Sequence, residues 1–224
     1  MKKRSLELVC CCLLFGYSFP LLGQTNLQTF APGSQPLQKY RVLSIFPDYE
    51  RANYGEPIAA LSVHQKFQTF AGQAFDPSFA LIAASVAAGQ QFYNSSPHYG
   101  QGGGPFAQRF GAAYASLATG SLLSQAVMPV IFHQDPRYFR KSTSSIGSRF
   151  WYAVSRTVIT RTDSGTSQFN YSQISAVAAT TASTNLYYPS RDRTVSGNAS
   201  SFVIGLGIST LWNLVREFGP ERRD

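Results

Sequence analysis

No charged side chain occurs between Phe110 and Phe132, and small residues recur there at every fourth position, Ala112, Ser116, Gly120 and Ser124. That spacing lines them along one ridge of an α-helix, where a neighbouring backbone can come close. The same spacing returns between Thr194 and Val215, at Gly197, Ser201, Gly205 and Ser209, again without a charge. ISAVAATTASTNLYY carries a third ridge, at Ala176, Thr180 and Thr184. RFGAAYASLATGSLLSQAVMPVIF is long enough to span a bilayer, which takes about 20 residues. Its Ser, Thr, Gly, Gln and Tyr make it only weakly hydrophobic. Pro129 has no amide hydrogen to offer the carbonyl of Gln125, so a kink is expected there.

Start signals extend the helical picture. Ser62 and Gln65 have capping-box spacing, in which each side chain satisfies a free amide near the helix start. Asp76-Pro77 joins a good N-cap to the residue best suited to the first helical position, and FALIAASVAAGQQF follows. SRFWYAVSRTVIT reads as a shorter amphipathic segment, with Arg149 and Arg156 on one face. YGQGGGP lacks the Lys-Ser/Thr ending of a phosphate-binding loop and reads as a connector. KYRVLSIFPDYERANYGEP is irregular and aromatic, and is expected as an extended strap over the core.

Strands compete for FWYAVSRTVIT and FVIGLGIST, which are rich in β-formers and glycine. A membrane barrel would alternate apolar and polar residues throughout. The alternation is patchy, and alanine runs without turn signals favour helix. The expected fold is all-α, a compact bundle of about six Ala/Gly/Ser-rich helices. It would form a single domain over 39–220, with a charged tail at 221–224.

Composition adds a compartment. Lys2, Lys3 and Arg4 precede an apolar stretch from Leu8 to about Leu22, which reads as a cleavable signal peptide over 1–23, the alternative being an uncleaved anchor. Residues 24–38, polar with two prolines, read as a flexible lead-in. Cys10, Cys11 and Cys12 all lie in the leader, so a processed chain has no disulfide and no thiol nucleophile. Removing three basic residues and Glu7 from a chain of formal net charge +8 leaves +6. For an exported protein that surplus points to anionic lipid head groups or envelope polymers, or simply to solubility. No nucleic-acid module accompanies the charge. The expected location is the periplasm or the outer membrane, with contact at a membrane surface.

The densest chemistry is IFHQDPRYFR, 131–140. His133 sits where the long helix is expected to end, and Asp135 is close enough in sequence to orient its ring for general acid–base work. The bland alternative is a histidine capping the carbonyl end of its helix. Asp163 in TRTDSG is a second acid/base candidate, or part of an Asp-Ser-Gly turn. Asp135, like Asp76, precedes proline and suits a cap. Arg137, Arg140, Arg156 and Arg161 outnumber the nearby acids, and would form a phosphate or carboxylate clamp if they converge. Arg137 and Arg161 could instead pair with Asp135 or Asp163. His64, His98 and His133 show no metal-ligand spacing, and no dinucleotide fingerprint occurs, so neither a metal nor a cofactor is expected.

HQDPRYFR, TRTDSG and NLYYP (185–189), together with QRFGAAYA, resemble a family of exported, uncharacterised proteins found especially in Acidobacteria. The resemblance runs from about Lys39 to Pro220. It implies export and a compact domain, and implies no activity. Two functions stay open: a structural or binding domain of the envelope, and an enzyme on a phosphorylated or anionic head group with His133 as acid/base. An open cavity shared by His133, Arg137, Arg161 and Asp163 would favour the enzyme.

Overall fold

The first helix among the described residues, α1 (Val63–Ala74), opens on the expected box: Gln65 N–H donates to Ser62 Oγ at 3.2 Å, and Ser62 N–H to Gln65 Oε1 at 3.0 Å. This computed structural model describes residues 40–42, 46–48, 51–52, 59–95, 97–141, 144–190 and 193–223. The expected signal peptide, 1–23, and the expected lead-in, 24–38, lie outside the described residues. Asp76 caps α2 (Pro77–Phe92), its Oδ1 accepting from Ser78 N–H at 2.9 Å. The glycine connector leads to α3, which runs as α-helix over Gly103–Leu122, widens to a π turn at Leu123–Val127 and regains one α turn at Met128–Ile131. A kink is expected at Pro129; the structure has this π turn just before it, in which Met128 N–H reaches back to Leu123 O. A widened turn accommodates the missing donor without breaking the helix. Three more helices follow, α4 (Ile146–Ser155), α5 (Tyr171–Thr184) and α6 (Val195–Phe218). The fold is therefore mostly helical, with six helices and a few short strands among the described residues.

Small residues do bring the helices together. Ala112, Ser116, Gly120 and Ser124 are all buried along α3. A Cβ placed on Gly205 would lie 2.8 Å from Val177 Cγ1, so α5 and α6 touch backbone to side chain there. Phe79, Ile82, Ala83 and Val86 of α2 pack on Ala113 and Leu117 of α3. Arg109 near the start of α3 reaches Gln91 near the end of α2, so the two run antiparallel. α1 meets the other half of α3, where Lys66 reaches Pro129 O. α5 returns along α3, with Ser172 beside Gln134 and Tyr187 beside Ser116.

Short strands appear in segments whose hydrophobic pattern predicts helix or loop. The amphipathic segment stays helical only to Ser155. Its continuation Ile159–Thr162 is a strand, β6, whose β-branched residues suit a pleated surface better than a helix. It pairs antiparallel with β7 (Ser167–Phe169), so TRTDSG leads into the tip of a hairpin, turned by Gly165 at φ +91°. HQDPRYFR is likewise extended: β4 (Gln134–Asp135) pairs antiparallel with β6, and β5 (Tyr138–Phe139) pairs parallel with β3 (Arg51–Ala52). The strap contributes β1 (Tyr40–Val42) and β2 (Phe46–Asp48). β1 also pairs antiparallel with β8 (Glu221–Arg223), so the expected charged tail contributes a strand to a small sheet.

Candidate functional site

Four ion pairs gather at one end of the bundle, where α3 and α6 finish and α5 begins, while Arg109 and Arg193 lie toward the other. His133 follows the C-cap of α3 with φ +52°, the left-handed conformation that ends many helices and that histidine tolerates better than most residues. Its carbonyl accepts from Asp163 N–H at 2.9 Å, and its side chain is exposed. Asp135 does not orient that ring. Its carboxylate accepts from Arg137 Nε at 3.0 Å and Nη2 at 2.6 Å, and from Arg137 N–H at 3.0 Å, a turn of the kind Asp forms with the amide two residues on. Arg137 also donates to Ala59 O and lies over the Phe139 ring at 5.5 Å.

Asp163 belongs to a partner that the sequence reading missed. Lys66 of α1 is buried, and its ammonium donates to both Asp163 oxygens at 2.7 and 2.8 Å, to Gln134 O at 2.9 Å and to Pro129 O at 3.2 Å. The signal was present. Gln65, Thr69 and Gln73 form a polar stripe at helical spacing, and Lys66 adjoins it on the inward face. Burial pushes the Asp163 carboxyl above its usual range, against the pull of Lys66.

The arginines do not converge on a clamp. Arg161 is buried over Phe139 at 5.1 Å, donates through Nε to Gly165 O, and leaves Nη1 without a partner. Burial lowers its pKa, countered by Asp135. Arg156 stacks on Tyr152 at 4.6 Å, its Nε and Nη1 unpartnered, and burial lowers its pKa too. Arg140 points elsewhere, to Glu217 O at 3.0 Å. So the structure groups Asp135, Arg137 and Arg161 around Phe139. It sets Arg140 and Arg156 apart and leaves His133 at the surface.

Glu217 organises the rest of this end. Fully buried, it accepts from Arg149 Nε at 2.7 Å, Tyr138 Oη at 2.8 Å and Lys141 N–H at 3.0 Å. Burial, reinforced by Glu217, holds the Tyr138 hydroxyl far above its usual pKa. Arg216 and Asp48 form a second buried pair at 2.6 Å. Asp163–Lys66, Asp135–Arg137, Glu217–Arg149 and Asp48–Arg216 thus neutralise one another pairwise.

A narrow crevice runs beside this network, lined by Ser124, Asp135, Thr160, Asn170, Ser172 and Gln173, with no room for a water-sized molecule. The hydroxyls of Ser124, Thr160 and Ser172 are buried without hydrogen bonds. Asn170 is not idle: it caps α5 through Gln173 N–H and donates to the Arg156 and Thr157 carbonyls. Among the described residues, no three His, Cys, Asp or Glu side chains gather as a metal site. Chemically this end is a set of internal ion pairs and caps. Comparisons with family models, with curated proteins and with solved structures found no match to this chain.

Proposed function

We propose that this is an exported envelope protein whose helical domain has a structural or binding role, seated in a lipid bilayer through the uncharged middle of its bundle. The observation that carries this is an inverted distribution of side chains. Among the described residues, 26 buried side chains are polar or charged against 20 that are apolar, and 18 large hydrophobic residues are exposed. Arg193 alone of the Asp, Glu, Lys and Arg residues with described side chains is exposed. A water-facing domain keeps its charges outside, and contiguous apolar surface marks a protein or membrane contact.

The placement of charge along the chain fits the same reading. No Asp, Glu, Lys or Arg occurs in 77–108, 110–134, 164–190 or 194–215. These runs contain α2, α5, most of α3 and most of α6. By length and composition α3 with its continuation, Gly103–Ile131, and α6, Val195–Phe218, can each cross a membrane. In lipid, helix association relies on small residues and hydrogen bonds. Contacts of that kind recur here: Gly205 on Val177, Gln173 to Ser209 at 2.9 Å, and Ser116 to Tyr187 at 2.8 Å. The leader and the family resemblance support export. The enzymatic reading draws less support, because Asp135 and Asp163 are held by Arg137 and Lys66, and His133 meets Asp163 through its backbone carbonyl.

Fractionating cells that express the full chain tests the proposal. The protein is expected in a membrane fraction, to resist an alkaline carbonate wash and to be released by detergent. Recovery as a monodisperse soluble monomer without detergent would overturn it.

A further inference from the structure

The most exposed aromatic side chain at the charged end belongs to α4. Trp151 is 69 % exposed and Ile146 76 %, with Phe150 edge-on to Trp151 at 5.5 Å. The opposite face of this helix is tied down. Arg149 meets Glu217, Tyr152 Oη donates to Phe139 O at 2.8 Å, and Thr157 just beyond the helix meets Thr210 at 2.8 Å. These contacts run α4 antiparallel along the last third of α6. Ile146 then lies level with the charged cap, and Val158, also exposed, lies toward the uncharged middle.

Charge around α4 is unbalanced. Arg149, Arg156 and Lys141 stand on or beside it; Arg149 meets Glu217, whereas Arg156 lies over the Tyr152 ring and Lys141 Nζ reaches Ser148 Oγ. Glu217 is engaged by Arg149, while Lys141 reaches only Ser148 Oγ among its described hydrogen bonds through Nζ. Aromatic side chains with cations beside them suit the head-group level of a bilayer, where Trp is enriched and anionic lipids draw Lys and Arg.

We propose that Ile146, Phe150 and Trp151 dock into the head-group layer of a bilayer containing anionic phospholipid, and so set the depth at which the bundle sits. This rests on the membrane seating proposed above. The helix acts as a wedge: its pinned face holds the end of α6, and its apolar face fixes the level of the lipid boundary.

The chain has two tryptophans, Trp151 exposed and Trp212 buried, so subtracting the emission of Trp151→Phe from that of the full chain isolates Trp151. The full chain is reconstituted into vesicles of phosphatidylcholine alone and of an equimolar mixture with phosphatidylglycerol. Flotation is measured first, then quenching by lipids spin-labelled at shallow and deep positions and by aqueous iodide. The expected result is flotation, a blue-shifted Trp151 signal quenched most by the shallow label, protection from iodide, and stronger shallow quenching with phosphatidylglycerol that Lys141→Gln weakens. Flotation with Trp151 open to iodide and untouched by labelled lipid overturns the docking of α4 and leaves the seating intact. Equal quenching in the two vesicle types overturns the anionic preference. A chain that does not float overturns the seating and this inference together. Unchanged far-ultraviolet circular dichroism of Trp151→Phe and Lys141→Gln shows that the variants are folded.

Discussion

His133 occupies a backbone conformation that suits glycine better than any residue with a Cβ. His133→Gly is therefore expected to leave stability unchanged or raise it by about 0.5–1 kcal/mol, and His133→Val to lower it by about 1–2 kcal/mol. Denaturant unfolding in detergent checks both, and a large loss with glycine would mean that the imidazole is engaged after all. Lys66 is the opposite case. Its ammonium joins a carboxylate and two carbonyls in a buried setting, so Lys66→Met leaves three acceptors facing one another and should cost about 2–4 kcal/mol. Asp163 gives the pH signature. Its folded carboxyl holds a proton more tightly than the unfolded chain does, because burial outweighs Lys66. The contribution of this group to stability is then fully present below about pH 4, the ordinary aspartate range. It falls as pH rises through the raised value. Asp163→Asn should remove that fall from a plot of unfolding free energy against pH, whereas an unchanged slope would assign the dependence to another group.

At the level of elements, close approach between helices makes a sharp contrast within α6. Gly205→Leu would drive a side chain into Val177 and is expected to cost about 1–3 kcal/mol. Gly207, two residues on, meets nothing within 4 Å, and Gly207→Ala should stabilise the helix by up to about 1 kcal/mol. Thermal unfolding of the two variants side by side tests whether the small-residue ridge is a contact surface. The helices were legible because their cues are local: the Ser62–Gln65 box, the Asp76-Pro77 start and the four-residue ridges each follow from spacing. The short strands were not, because their pairing is between distant segments. Gln134–Asp135 is extended because β6 lies beside it, and Glu221–Arg223 because β1 does. The candidate site was legible as a concentration of charge around 133–163. Its pairing was not, since Lys66 and Asp163 are brought together only by packing α1 against the end of α3.

For the whole molecule, the decisive feature is where charge is absent. Ion pairs close one end of the bundle, and exposed Phe92 and Leu186 mark the other, beside Tyr99 and Tyr188 with ring centroids 6.0 Å apart. Between the ends large apolar residues face outward, including Leu81 on α2 and Val203 on α6. Such a surface is costly in water, at roughly 25 cal/mol for each Å² of apolar area, and natural in lipid. Accessibility of single cysteines, introduced after Cys10, Cys11 and Cys12 are replaced by serine, measures this directly in isolated membranes. Asn94→Cys, in an exposed turn beyond α2, should react at once with a water-soluble maleimide, while Leu81→Cys and Val203→Cys should react only after detergent is added. Equal labelling at all three positions without detergent would mean that the apolar flank of the bundle faces water, contradicting the proposed seating in the bilayer.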